Sequence, residues 1–218
     1  MSLTLSISGI AKEYKGRRVL DDCTFSFDHG NIFALMGPNG CGKSTLLRIC
    51  ALLDHASTGA VTYASGTDVL PHDVPLRRRF TLVLSKVGLF NTTVFKNAAY
   101  GLKLRGLPGK VIEQKAAMAL DAVGLTHKKN QHALTLSSGE SQRLGLARAM
   151  AIEPEILFLD EPTASIDEKN TRIVEDIILG LRKSGRTTII MSTHDKEQAT
   201  RLADRVVRIH DGRIACQP

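Results

Sequence analysis

The stretch Gly37–Thr45 reads GPNGCGKST, and it comes directly after the apolar run Ile32–Met36. A continuous apolar run that stops at Gly-Pro is typical of a fully buried strand. The GxxxxGKS spacing from Gly37 to Ser44 lets the backbone wrap so that its N–H groups point at phosphate oxygens, and it opens a helix. This stretch therefore predicts a phosphate-binding loop between a buried strand and a helix.

The side chains of this loop indicate how it would hold a nucleoside triphosphate. The N-terminus of the following helix carries a partial positive charge that favours phosphate groups. Lys43 is expected to reach the β- and γ-phosphates, and Ser44 to offer its hydroxyl to Mg²⁺. The residues expected to contact the nucleotide are Gly37, Pro38, Asn39, Gly40, Cys41, Gly42, Lys43, Ser44 and Thr45.

A second apolar run, Ile156–Leu159, ends in two adjacent carboxylates, Asp160 and Glu161. Asp160 is expected to hold Mg²⁺ through water, because Mg²⁺ prefers oxygen ligands and keeps several waters. Glu161, one residue farther along, is placed to polarise an attacking water. The alternative is a buried strand capped by solvated acids. The phosphate loop favours the first interpretation, since such a loop works beside an acidic strand end.

A third stretch, Leu136–Glu140, is a polar loop of sequence LSSGE that leads into a helical segment. A helix N-terminus with serine hydroxyls and free N–H groups is a second anion site. The chain has only one phosphate loop, so this second site is surplus within one molecule. It is useful only if two chains meet across a nucleotide.

Leu136–Glu140 resembles the signature motif of the ATP-binding-cassette (ABC) ATPases, and Gly37–Ser44 and Ile156–Glu161 match the two nucleotide motifs of that family. The order and separations of the three motifs also match, and the resemblance covers essentially the whole chain. Asp160–Asp167 continues like the family's D-loop. His194 occupies its switch-histidine position, and Tyr14 matches the aromatic residue that stacks on adenine.

The resemblance implies an ATPase that works as a head-to-tail pair of identical chains with two ATP molecules between them. The catalytic residues it implies are Glu161, His194 and Lys43, with ATP and Mg²⁺ as cofactors. The ATP contacts that it implies from the partner chain are Ser137, Ser138, Gly139, Glu140 and Asp167. Asp167 could instead cap the helix that follows it.

The alternation of strand and helix patterns predicts an α/β fold with a mostly parallel sheet and helices on both faces. The resemblance makes this a P-loop NTPase (RecA-like) core with an N-terminal antiparallel β subdomain. The helical stretch 86–152 is expected to be an inserted α-helical subdomain that carries the signature motif. Residues 1–85 and 153–218 would form the nucleotide-binding core of a single ABC ATPase domain.

Two positions depart from the family's pattern. Ser85 stands where most members have a glutamine that contacts Mg²⁺ and water, and serine is too short to reach the metal directly. We expect Ser85 to act through water, with ATP binding preserved and a more hydrated Mg²⁺ shell. Ser138 replaces the usual first glycine of the signature, which adds a side chain near the phosphate of the partner's site.

The segment Val87–Gly106 resembles the part of importers that receives a helix of the membrane-spanning permease. Its Leu89-Phe90 and Asn97–Leu102 resemble the importers of oxyanions, such as the tungstate, molybdate, phosphate and sulfate systems, with a tungstate-like system favoured. An extracytoplasmic solute-binding protein would then be an indirect partner. The alternative is a soluble ABC ATPase that acts in cluster assembly or nucleic-acid maintenance without a membrane partner.

The composition agrees with a peripheral protein on the cytoplasmic face of a membrane. The 218 residues contain no apolar run long enough to span a bilayer. The formal net charge is +7, but the basic residues are scattered, so no nucleic-acid partner is expected. The four cysteines lack metal-ligand spacing, which favours a reducing compartment.

Overall fold

The computed structural model describes residues 2–183 and 185–215, so that Cys216 lies outside the described residues. The strands are β1 Leu3–Tyr14, β2 Arg17–Phe27, β3 Ile32–Met36, β4 Thr58–Ser65, β5 Asp68–Val69, β6 Phe80–Val83, β7 Ile156–Asp160, β8 Thr188–Thr193, β9 Arg205–His210 and β10 Arg213–Ala215. The α-helices are α1 Lys43–Cys50, α2 Val74–Arg77, α3 Val94–Leu104, α4 Gly109–Ala122, α5 Ser138–Ala151, α6 Glu168–Lys183 and α7 Lys196–Leu202. Short 3-10 turns lie at Thr126–Lys128 and Ala133–Thr135.

An antiparallel sheet with the strand order β2-β1-β4-β5 forms the N-terminal part. Its long strand β1 alternates buried and partly exposed residues at its start, with Leu3, Leu5 and Ile7 in the core. Leu5 is paired with Phe27 across the β1–β2 ladder. This places apolar side chains of both strands on the same face. The predicted antiparallel N-terminal subdomain is confirmed.

The second sheet has six strands in the order β10-β9-β3-β8-β7-β6. β3 lies between β8 and β9 and pairs with both in parallel, and β7 pairs in parallel with β8. All five residues of β7 are buried, as the continuous apolar run predicted. Because these strands are parallel, their carboxyl ends lie at one edge, where Asp160 is paired with Ser192. The predicted α/β class is confirmed.

The helices α3, α4 and α5 pack against one another in the middle of the chain. Their shared core includes Ala98, Leu102, Leu120 and Leu146, all essentially inaccessible to solvent. Thr93 caps α3 by accepting a hydrogen bond from the Lys96 N–H. The helical character predicted for 86–152 is therefore present.

The contacts divide the chain into two compact units. The first contains Met1–Leu82, Glu155–Glu161 and Leu181–Pro218, and the second contains Val83–Pro154 and Pro162–Gly180. The second unit therefore includes the segment after Glu161, which the sequence placed with the nucleotide-binding core. The division into core and inserted subdomain stays a prediction. Among the described residues, no helix combines the length and the apolar character that a bilayer crossing needs.

Two local features of the structure were not predicted from the sequence. The helix predicted after the phosphate loop is short and ends at Cys50, because Leu52 adopts a left-handed backbone with φ of 54°. The short helix α2 has Asp73 as its cap and Pro75 in its first turn, and four residues are too few to produce a periodic pattern. Neither difference changes the position of the phosphate loop.

Candidate nucleotide-binding and hydrolysis site

Two glycines of the phosphate loop are required by their surroundings. A Cβ on Gly37 would lie 2.2 Å from the carbonyl oxygen of Ile209. Gly42 has a φ of 102°, and a Cβ there would lie 2.6 Å from Cδ2 of Leu20. These close approaches leave no room for a side chain, so the loop can be built only with glycine at both positions.

The helix α1 begins directly after this loop. Gly42 is its N-cap and provides no side-chain cap, so the first N–H groups of the helix remain available to an anion. Ser44 is exposed in the first turn. The sequence thus produces at this point the backbone donors and dipole that a phosphate group needs.

Lys43 is buried, and its amine bends back over the loop. Its Nζ donates to the carbonyl oxygens of Gly37, at 2.8 Å, and Pro38, at 3.1 Å. It also lies 3.9 Å from Oε1 of Glu161. The ammonium is therefore held at the mouth of the loop, where a bound phosphate would meet it.

Asp160 holds together three elements at the carboxyl edge of the sheet. Its Oδ1 accepts hydrogen bonds from Oγ of Ser44 and Oγ of Ser192, both over 2.7 Å. Ser192 Oγ in turn accepts from the Glu161 N–H over 2.9 Å. Ser192 is therefore a site residue that the sequence reasoning missed. The available signal was the apolar run Ile189–Met191 directly before it, which is typical of a buried strand.

The carboxylate of Glu161 lies near a lysine and a histidine side chain. Its Oε1 lies 3.5 Å from Nδ1 of His194 and 3.9 Å from Nζ of Lys43. Its backbone is left-handed, with φ of 46°, which costs a non-glycine residue about 1–3 kcal/mol. Strain of this kind concentrates at functional sites. The fold thus brings together the three residues expected to be catalytic.

Tyr14 lies at the end of β1 with its ring 43% exposed. Its hydroxyl donates to Asp54, and a further hydrogen bond joins it to Thr45 of the phosphate loop. The Nζ of Lys12 lies 4.7 Å from the ring centroid and 2.7 Å from Oδ1 of Asp54. The ring is therefore in contact with a cation and remains partly exposed, as the adenine stacking expected of Tyr14 requires.

The carboxylate of Asp54 explains the electrostatics of this cluster. Hydrogen bonds from Lys12 and then Tyr14 lower the pKa of Asp54 to about 2. The same bond to Asp54 raises the pKa of Tyr14 above its ordinary value. Sequence reasoning missed Lys12 and Asp54, because 42 residues separate them in the chain.

The signature residues are described within the helical unit. Ser137 caps α5: its Oγ accepts from the Glu140 N–H at 3.3 Å, while Glu140 Oε2 accepts from the Ser137 N–H at 3.1 Å. Glu140 Oε1 also accepts from Nζ of Lys128 at 2.6 Å. This bond from Lys128 is the main reason why the pKa of Glu140 is lowered. Ser137 and Ser138 are exposed.

Asp167 caps α6 rather than standing free. Its carboxylate accepts from the backbone N–H of Asn170 at 2.9 Å and from Nδ2 of Asn170 at 2.7 Å. Asn170 also fills the space at Gly139, where a Cβ would lie 2.4 Å from Cγ of Asn170. Asn170 therefore joins the D-loop to the signature, and the sequence reasoning did not identify it.

The segment after β6 belongs to the helical unit, and hydrogen bonds from the Asn97 side chain hold its backbone at Phe90. Ser85 is exposed, two residues beyond the end of β6. Farther along, buried Asn97 accepts from the Phe90 N–H at 2.9 Å and donates to the Phe90 carbonyl oxygen at 3.1 Å. The rings of Phe90 and Tyr100 are 4.2 Å apart, and both side chains are substantially exposed. Arg148 lies against the Phe90 ring at 5.2 Å.

This geometry defines a P-loop nucleoside-triphosphate hydrolase. Comparison with known proteins then gives the family: the ABC transporter family matches residues 20–164. The chain belongs to this family and is one of its ATP-binding, ATP-hydrolysing proteins.

Two curated relatives cover nearly the whole chain. It is 38% identical over 223 residues to the phosphate import ATP-binding protein PstB 2 of Natronomonas pharaonis, covering 96% of this chain and 78% of that protein. It is 40% identical over 212 residues to the tungstate uptake system ATP-binding protein TupC of Peptoclostridium acidaminophilum, covering 97% of each.

A solved structure of similar fold is the dimeric post-hydrolysis state of the ATP-binding cassette MJ0796 bound to ADP and Pi. The TM-score is 0.86 at 25% identity, covering 98% of this chain and 97% of that one.

Proposed function

We propose that this protein is the ATP-hydrolysing motor subunit of a membrane importer for a small solute, with a tungstate-like oxyanion favoured. The observation that carries the hydrolytic part is the approach of Lys43 Nζ and His194 Nδ1 to Oε1 of Glu161, at 3.9 and 3.5 Å. The two curated relatives, named for phosphate import and tungstate uptake, support the direction and the class of solute.

The residues at the loop fit Mg²⁺ as well as ATP. Ser44 and Asp160 present hard oxygen donors within hydrogen-bond distance of each other. Mg²⁺ in phosphoryl-transfer sites takes one or two protein oxygens and completes its shell with phosphate and water. No cluster of three or more ligating side chains is found in the described part of the chain. Bound Mg²⁺ would neutralise charge on the phosphates.

The protein's own groups supply the rest of the hydrolysis. Glu161 would accept the proton of the attacking water, and Lys43 and the N–H groups of α1 would stabilise charge on the phosphoryl oxygens. His194 lies 3.5 Å from Oε1 of Glu161 and would contact the γ-phosphate. Tyr14 would stack on the adenine. Ser85 would act on the Mg²⁺ shell through water.

A second copy of the chain would complete each site. One copy would supply the phosphate loop, and the other would supply Ser137, Ser138, Gly139 and Glu140, with Asp167 linking the two sites. The dimeric state of the structurally similar ATP-binding cassette supports this pairing. Hydrolysis would remove the phosphoryl group that bridges the copies, so that the pair opens.

The permease would dock on the Val87–Gly106 segment. Phe90, Tyr100 and Leu104 expose 38%, 41% and 66% of their surface there. Aromatic side chains near an arginine are typical of interface anchors, and Arg148 lies against Phe90. The protein would therefore sit on the cytoplasmic face of the membrane. An extracytoplasmic solute-binding protein would deliver the solute.

Reconstitution tests this proposal. The genes beside this one are expected to encode a multi-span permease and a secreted binding protein, and coexpression should yield a complex with this chain. In liposomes, the complex should take up tungstate in preference to molybdate, phosphate or sulfate, and only with Mg-ATP. Glu161→Gln should abolish uptake while preserving ATP binding. Copurification with a non-membrane scaffold, and no permease complex, would instead identify a soluble ABC ATPase.

A further inference from the structure

An ion pair stands at the start of α5, next to the serine expected to meet ATP. Lys128 ends a 3-10 turn, and its Nζ lies 2.6 Å from Oε1 of Glu140. Both side chains are largely covered, with 26% and 18% of their surface exposed. The other carboxylate oxygen of Glu140 accepts from the Ser137 N–H. One carboxylate thus connects Lys128 to the N-cap of the signature helix.

The Glu140 carboxylate has two opposite effects in the first turn of α5. A negative charge in the first turn stabilises α5, because it complements the helix dipole. The same charge opposes the approach of a triphosphate to the same helix end, since like charges repel. Lys128 removes that conflict: it neutralises Glu140 while leaving its capping hydrogen bond intact.

The capping geometry also affects the Ser137 hydroxyl. Its oxygen accepts from the Glu140 N–H, so its hydroxyl hydrogen remains able to donate to an anion. That orientation depends on the first turn of α5 being held in place. Lys128 contributes to this by holding the Glu140 carboxylate between two donors.

We infer that Lys128 is a positioning residue of the ATP site completed by the second copy: it balances the charge of Glu140 and fixes the signature turn for the incoming phosphate. This inference rests on the proposed pairing of two copies across ATP. An ion pair with only a stabilising role would affect unfolding and leave ATP-dependent association unchanged.

The test measures ATP-dependent dimerisation by analytical ultracentrifugation, with a non-hydrolysable ATP analogue and Mg²⁺. Lys128→Met should weaken the dimer about tenfold, equivalent to about 1.4 kcal/mol. Lys128→Arg should keep most of the affinity, and Lys128→Met combined with Glu140→Gln should restore it to within about threefold, because the uncompensated charge is gone. The loss should shrink at high salt.

Lys129→Met is the matched control. Lys129 is the adjacent, exposed lysine, so its replacement changes the net charge equally without touching Glu140. Equal weakening by both methionine variants, or no recovery in the double variant, would overturn the role of Lys128. Thermal unfolding of each variant shows whether it is folded. Failure of the unchanged protein to dimerise with the analogue would instead refute the pairing itself.

Discussion

Ser44 and Asp160 are joined by a hydrogen bond of 2.7 Å, although 116 residues separate them in the chain. The bond links the first turn of α1 to the end of β7, and so places the hydroxyl and the carboxylate expected to hold Mg²⁺ side by side. The same oxygen of Asp160 accepts from Ser192. The two oxygen donors expected to hold Mg²⁺ are thus positioned by three elements, α1, β7 and β8.

Replacement of Ser192 should impair the Mg²⁺ site. Ser192→Ala removes a donor to Asp160 and leaves the Glu161 N–H without its acceptor. We expect a loss of about 10- to 100-fold in ATPase activity or Mg²⁺ affinity, as for partners that orient metal ligands. Steady-state ATPase assays across a Mg²⁺ titration measure it. Thr188→Ala, which removes another buried hydroxyl of β8, should reduce stability without changing the Mg²⁺ requirement.

Replacement of Lys12 should destabilise the fold above about pH 4 and weaken nucleotide binding. The pKa of Asp54 is held at about 2, against an ordinary 3.8. Because the folded pKa is depressed, the ionised carboxylate stabilises the fold above about pH 4, and this contribution is lost as the pH falls towards 2. Lys12→Met should therefore lower the free energy of unfolding near pH 6 and make little difference near pH 2.

Urea titrations between pH 2 and pH 6 measure that dependence, with Lys12→Arg as the charge-preserving control. The methionine variant should also bind ATP more weakly, because the Tyr14 ring loses the cation that lies 4.7 Å from its centroid. A pH-independent destabilisation would contradict the role of Asp54.

Alkylation of Cys41 should block ATP binding. Cys41 lies inside the phosphate loop and is 8% exposed, so an adduct would fill the phosphate space. Mg-ATP should slow the labelling, as followed by mass spectrometry. Cys50 serves as an internal control, since burial raises the pKa of its thiol to about 12 and keeps it unreactive. Labelling of Cys41 at the same rate with and without Mg-ATP would refute the prediction.

Restoring glutamine at position 85 should change the ATPase reaction. Ser85→Gln supplies the reach that serine lacks, so the ATPase rate and its dependence on the metal should both shift, while ATP binding is kept. Ser85→Ala is the control that removes only the hydroxyl. If Ser85→Gln behaves like the unchanged protein in both measurements, the position has no role at the metal.

A larger side chain at Gly145, where α5 contacts the proposed docking loop, should alter the coupling of ATP hydrolysis to the permease. A Cβ on Gly145 would lie 2.7 Å from Cγ2 of Val87, so Gly145→Ala must displace the loop. Alanine raises helix propensity by about 1 kcal/mol, so the variant should fold. We expect the permease-dependent increase of ATPase activity to fall, with the activity of the isolated chain unchanged.

Val87→Ala in the same chain should restore the coupling, because it removes the two methyl groups that meet the new Cβ. The measurement is ATPase activity of the reconstituted complex with and without solute. An isolated chain that loses activity with Gly145→Ala would show that the effect is not specific to docking.

Sequence patterns predicted the elements that are specified by a short run of neighbouring residues. The strand–loop–helix over 32–50 and the strand that ends at Asp160 were recognisable, because backbone conformation and burial there depend on neighbouring residues. The boundaries were less predictable: the helix after the phosphate loop ends at Cys50, where the chain turns through a left-handed Leu52. The strand β10 was not predictable, because three residues are too few for a pattern.

The sequence by itself determined the phosphate loop, the acidic strand end and the signature, since each depends on a short run of residue types at set spacing. Only the tertiary structure decided that Ser192 supports Asp160, that Lys12 covers Tyr14 and that Lys128 neutralises Glu140. The physical reason is that these contacts depend on strand register and on how side chains pack. The spacing of residues in the sequence indicates neither the strand register nor the side-chain packing.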